Sequence, residues 1–179
     1  DSAEDYYKQS LEIDAEYTDA FVGLGVLADL QSLPSVAVQY FDHAVTLDGY
    51  NIDYRLLLAT SFIKVGKPKE AEKHFTIVLE RDPKNADAWE GRIDNLQRID
   101  AHEAALEALE QGLTIVKNPT HLLYQQVYSL FKIGEESRAI DLFEQLLIHT
   151  FDYSSRILDS FPEILEDPRM ADVYSRLKP

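Results

Sequence analysis

No cysteine occurs among the 179 residues, so neither a disulfide framework nor a thiolate metal site is available, and redox compartment leaves no mark on the chain. Glycine and proline number seven each beside 45% hydrophobic residues, a balance that suits packed helices and argues against disorder. No apolar run approaches the ~18 residues a membrane-spanning helix needs. No basic leader followed by an apolar segment is visible either. The chain opens at Asp1 in what reads as the second helix of a repeated hairpin, and a partner helix is expected upstream of it. Positive charge is scarce: the net charge is −15, and residues 1 to 53 hold eleven acidic groups against Lys8 alone. Such a surface repels polyanions, which counts against nucleic acid and anionic membranes as partners.

Signatures of chemistry are missing as well. Hydrolytic or transfer reactions need a nucleophile with its base, a bound metal or a phosphate loop, each with its own spacing. His102 and Glu103 open like a zinc-protease helix, but Leu106 stands where the second histidine would share the metal. His43, His74, His121 and His149 lie far apart and form no motif, and Gly66 and Gly134 read as turn residues rather than a phosphate cradle. The expectation is a protein without catalytic, metal or cofactor-binding residues.

What the chain does have is a period. An alanine recurs every 34 residues, at Ala3, Ala37, Ala71, Ala105 and Ala139. Four residues after each comes a large side chain, Tyr7, Phe41, Phe75, Leu109 and Phe143, and four later again Leu11, Val45, Leu79, Leu113 and Leu147. A three-position ladder held in register five times signals stacked helical hairpins. The fullest copy is Ile52 to Asn85, where Gly66 can end the first helix in a left-handed cap and Pro68 can open the second.

These residues resemble the tetratricopeptide repeat family, in which a small residue in the second helix lets the first approach closely. The resemblance implies an all-α fold, a right-handed solenoid of helix-turn-helix hairpins with a C-terminal capping helix. The corresponding segments are 1–17 (second helix of a leading repeat), repeats 18–51, 52–85, 86–119 and 120–153, and a closing segment 154–179. Phe21, Leu24, Gly25 and Ala28 fit the family's first-helix positions, and Trp89 its aromatic position after a helix cap at Asn85. The third full repeat departs, with Arg92 and Ile93 for the leucine and small residue and Asp100 for the turn glycine; at the end of the fourth, Phe151 stands where proline is usual. In the tail, a short apolar helix ends near Phe161 and Pro162, and Asp167 with Pro168 can cap a last helix carrying Met170, Val173, Tyr174 and Leu177. FPEILEDPRM looks like closing segments of some bacterial arrays.

In the resembled family the first helices line a concave groove. The matching positions here are Asp19, Val22, Val26 and Asp29, then Asp53, Leu56, Leu57, Thr60, Ile63 and Lys64. Asp87, Glu90, Asp94 and Arg98 come next, and then His121, Tyr124, Tyr128, Phe131 and Lys132. The asparagine, lysine and arginine set that clamps a terminal carboxylate in chaperone-binding members is not matched, since Val22, Val26 and Leu57 stand in its place. The implied function is a non-catalytic scaffold that holds a peptide or helix of another protein; the line of Asp19, Asp53 and Asp87 suits a partner with a basic segment, the alternative being a merely solvated acidic face. A self-assembly element and a regulatory portion of a larger protein are the alternatives. Tyr124, Tyr128 and Phe131 share one helix face and are candidates for the binding anchor. The competing expectation is that the tail folds back over them with Phe161 or Tyr174 across the opening.

Overall fold

The computed structural model describes residues 2–178, the side chains of Arg156, Ile157 and Ser160 excepted, and all regular structure among them is helical. Asp1 and Pro179, the outer ends of the predicted segments 1–17 and 154–179, lie outside the described residues. The chain forms two compact units, Asp1–Pro83 and Lys84–Pro179.

The first unit holds α1 (Ala3–Ile13), α2 (Thr18–Leu30), α3 (Pro34–Leu47), α4 (Ile52–Lys64) and α5 (Pro68–Arg81), each packed on the next. Ala37 and Ala71 have no exposed surface, and Phe41 and Phe75 beside them are almost as deeply buried. Close helix approach explains Gly25 too: a Cβ there would lie 2.5 Å from the Phe41 ring. Ala3, by contrast, is exposed, and Tyr7 and Leu11 are half-buried, with α1 packed on α2.

The second unit holds α6 (Ala86–Arg98), α7 (His102–Ile115), α8 (Thr120–Lys132), α9 (Glu136–Ser160), a 3-10 turn at Pro162–Glu166 and α10 (Pro168–Leu177). Here Ala105 and Ala139 are fully buried, as are Leu109 and Phe143. Ile93, in the register position that Gly25 and Ala59 hold earlier, is matched by Leu109 in place of phenylalanine. The larger residue on α6 is thus offset by a smaller one on α7, the kind of volume-conserving exchange a core tolerates. Trp89 is buried beside Gly112, where a Cβ would come within 3.1 Å of the indole.

Four interhelical turns repeat one geometry. Leu33, Lys67, Ala101 and Glu135 each donate their N–H to the carbonyl five residues back, at 2.9, 2.9, 3.0 and 2.9 Å. The preceding residue is left-handed every time: Ser32, Gly66, Asp100 and Gly134. This is the helix-ending motif expected at Gly66 and Gly134. It also forms at Asp100, so loss of the turn glycine does not alter the turn.

The last repeat ends differently. The helical backbone of α9 is interrupted at Thr150 (φ −141°, ψ 36°), and with Phe151 in place of a proline a second helical segment continues directly to Ser160. The Thr150 hydroxyl donates to the Leu146 carbonyl at 2.7 Å. Phe161 then turns the chain, and the Asp167 carboxylate accepts the N–H groups of Arg169 and Met170 to start α10. Ile164, Met170 and Val173 are buried in one cluster with Phe143 and Leu147 of α9.

Candidate functional site

In the first unit, two side-chain bonds set α4 beside α2. The Tyr54 hydroxyl donates to Asp19 Oδ1 at 2.8 Å near one end of the pair, and Lys64 Nζ meets Asp29 Oδ2 at 2.5 Å near the other. The hydrogen bond to Asp19, helped by burial, pushes the Tyr54 phenol up to about 12, so it stays the donor at neutral pH. Between the brackets, Val22 and Leu57 are half-buried against the α2–α3–α4 core and Val26 is 40% exposed, while Leu30, just past Asp29 at the end of α2, is 78% exposed. Val26 and Leu30 are four residues apart on α2 and therefore share a face. Leu56 and Ile63 on α4 are half-buried, and Asp53 and Thr60 are exposed. The face therefore has an apolar floor, with carboxylates at Asp19 and Asp53 and an internally neutralised pair at the other end.

The second unit is arranged otherwise. His121 Nε2 lies 3.0 Å from Glu90 Oε1, and its Nδ1 is 3.3 Å from the Tyr153 hydroxyl. A ring that donates from Nε2 to the carboxylate presents Nδ1 as the acceptor for the tyrosine, which links α6, α8 and α9 in one chain. Asp94 pairs with Arg98 on the same helix at 2.7 Å. Asp87 is exposed. The cations expected along the groove are therefore partly spent: Lys64 and Arg98 are ion-paired, and Lys132 sits over the Tyr128 ring, 5.6 Å from its centroid.

The aromatic anchor expected in α8 requires correction. Tyr124 has no exposed surface and Tyr128 only 7%. Tyr124 stacks on Tyr153 with ring centroids 6.0 Å apart, and its hydroxyl lies 3.2 Å from Thr150 Oγ1. Tyr128 stacks on Phe161 at 4.2 Å and 23° and donates to Glu163 Oε1 at 2.8 Å. Phe131 is half-buried in the same cluster. The tail folds back over this face, the competing expectation, because α9 continues past Thr150 and brings Tyr153 and Phe161 onto α8. Burial, and then the bond to Glu163, push the Tyr128 phenol well above its ordinary value.

Several residues that position these faces leave no signal in the ladder. Buried Gln97 donates from Nε2 to the Gln125 carbonyl at 2.7 Å and to Ser129 Oγ at 2.8 Å, and Gln125 Nε2 donates to the Glu90 carbonyl at 3.2 Å. These amides join α6 to α8 through groups that a hydrophobic pattern treats as surface. Tyr54 and Leu30, each one position from an expected residue, and Tyr153, on α9 well past the expected set, also lie outside it. No group of three or more potential metal ligands occurs among the described residues, and His102 is buried edge-on to Tyr128 at 5.5 Å. No described helix is long and apolar enough to cross a membrane.

Residues 56–119 match the family profile described as a tetratricopeptide repeat. No curated protein sequence matches the chain significantly. Among solved structures, the MamA protein superposes with a TM-score of 0.73 at 18% identity, over 85% of this chain and 83% of that one. YrrB, described as a TPR protein with an unusual peptide-binding site, gives 0.67 at 16% identity over 97% and 92%. PilF of Pseudomonas aeruginosa gives 0.67 at 18% identity over 90% and 77%. At these identities the likeness is one of fold: stacked helical hairpins of the tetratricopeptide type.

Proposed function

We propose that this chain, which has the tetratricopeptide-type fold and matches that family's model over residues 56–119, is a protein-interaction scaffold whose first unit binds a peptide or helix of a partner across the α2–α4 face. The observation that carries the reading is the exposure of Val26 and Leu30 on one side of α2, Val26 between Asp19 and the Asp29–Lys64 pair and Leu30 just past that pair at the end of the helix. Covering an exposed valine or leucine side chain contributes about 1.5–3 kcal/mol before ordering costs are subtracted. Because the hairpins hold these side chains in place beforehand, little of that gain is lost to ordering the scaffold. The fitting partner is amphipathic: apolar side chains for the floor and a lysine or arginine near Asp19 and Asp53. Opposite charge speeds the encounter and selects orientation more than it adds affinity. Peptide binding described for the structural neighbour YrrB agrees with this reading.

Fluorescence anisotropy tests it with two synthetic amphipathic peptides that share their leucines and differ in carrying lysine or glutamate. The lysine peptide should bind the full chain and bind the Val26→Asp/Leu30→Asp variant at least roughly tenfold more weakly, as loss of a hot spot implies. Equal binding of both peptides, or equal binding to both proteins, overturns it. Light scattering in the same samples distinguishes a second copy of the chain as the occupant.

A further inference from the structure

We propose that α8 of the second unit carries a separate recognition site for a short segment with an aromatic residue and, two positions later, a carboxylate, and that Phe161 and Glu163 of this chain are its resident occupant. The inference rests on the reading of the chain as an interaction scaffold but uses a different unit and different residues. Tyr128 supplies both halves of the recognition: its ring takes Phe161 flat at 4.2 Å, and its hydroxyl takes the Glu163 carboxylate at 2.8 Å. One aromatic residue thus reads ring and charge together, with spacing fixed by the intervening Pro162. Lys132 lies over the same ring, 5.6 Å from its centroid. His102 supports the plate from its edge at 5.5 Å.

The occupant is held mainly from behind. Ile164, Met170 and Val173 bury themselves in the cluster formed with α9, and Arg169 reaches Glu136 at 2.7 Å. Phe161 and Glu163 make the contacts that reach Tyr128. Phe161 caps the 3-10 turn at φ −133° and ψ 64°, its carbonyl accepting the Ile164 N–H at 3.2 Å, and Glu163 lies within that turn, so release of Tyr128 requires this junction to open while α10 stays docked. A tethered occupant competes at an effective concentration on the order of millimolar, so a partner segment of the same chemistry binds only when it outcompetes that tether. The tail is then a built-in gate with defined selectivity: aromatic, rigid spacer, acid.

The test uses the full chain and a labelled, end-blocked peptide of residues 159–166. In the Phe161→Ala/Glu163→Gln variant, which leaves Tyr128 and α10 intact, the peptide should bind at least roughly tenfold more tightly than to the unaltered chain, since the internal competitor is removed. Replacing phenylalanine by alanine in the peptide, or adding Tyr128→Phe to the variant, should weaken it. If the peptide fails to bind the vacated variant, or binds it equally with and without its aromatic residue, the tail is a fixed part of the core and the proposal fails. Should the variant lose its helical circular dichroism, the unaltered chain decides: binding that disappears with the peptide's phenylalanine supports the site, and no binding at millimolar peptide refutes it. None of these readouts involves Val26 or Leu30, so failure here leaves the α2–α4 reading standing, and the reverse.

Discussion

Asp100 adopts at φ 57° the left-handed conformation that Gly66 adopts at φ 71°, and both precede a residue that donates to the carbonyl five residues back. Ser32 does the same at φ 59°. A left-handed conformation costs a residue with a Cβ roughly 1–2 kcal/mol, less for a short polar side chain, while glycine gives back part of the gain in the unfolded chain. Ser32→Gly should therefore stabilise the protein by about 0.5–1 kcal/mol, read as a rise in urea midpoint at unchanged m-value. A neutral or destabilising result would mean that the Ser32 side chain contributes something glycine cannot replace.

The alanine ladder makes an unequal prediction along its length. Ala71 and Ala105 have no exposed surface, so leucine at either should cost on the order of 1–3 kcal/mol through overpacking. Ala3 occupies the same register but is exposed, so Ala3→Leu should leave thermal unfolding unchanged within about 0.5 kcal/mol. Equal effects at all three positions would contradict the packing.

What was legible in the sequence depends on what each of its signals measures. The period reports the contact every hairpin makes with its neighbour, which is why Ala37, Phe41, Ala71 and Phe75 were legible as core. Prolines at the first turn of α3, α5 and α10, and caps at Asn85 and Asp167, were legible because capping is local chemistry. Beyond the last repeat the period is silent, since nothing recurs there. Phe151 was visible as a departure from proline, but its consequence, an α9 that continues and carries the tail over Tyr124 and Tyr128, depends on long-range packing. The Gln97–Gln125–Ser129 bonds stayed hidden for a related reason: a buried amide looks like a surface residue until its partner is known.

Acid should weaken the fold earlier than carboxylate protonation alone requires. Burial holds the His102 imidazole below its ordinary 6.5, with the Lys132 ammonium acting in the same direction and Asp100 and Glu103 against it. His74 is depressed by burial and by Arg55. A histidine whose pKa is lower in the folded state contributes stability that is complete above 6.5 and lost as pH falls from there through the folded value. Asp167, held at about 2 by its bonds to Arg169, adds a loss of the same sign only below the carboxylate's ordinary 3.8. Urea midpoints should therefore drop between pH 7.5 and 5.5, and His102→Phe should shrink that drop. An unchanged slope in this variant would assign the effect elsewhere.

The bracket across the proposed face is open to a direct check. Removing the Tyr54 hydroxyl leaves Asp19 without its 2.8 Å donor. Tyr54→Phe should cost about 0.5–1.5 kcal/mol, the net worth of one such hydrogen bond. It should also remove from the tyrosine titration a phenol that ionises near pH 12. A lost phenol that ionises near the ordinary 10.0 instead would show that the Tyr54–Asp19 bond does not form in solution.

Where the lysine-bearing amphipathic peptide lands is the most direct test of the scaffold reading. Amide chemical shifts of the isotope-labelled full chain, monitored during the titration, report the contacted residues without any substitution. The account predicts the largest changes along α2 from Val22 to Leu30 and along α4 from Asp53 to Lys64, diminishing in amplitude at high salt as the Asp19 and Asp53 carboxylates are screened. Changes confined to α9 and α10, or none at saturating peptide, would contradict it.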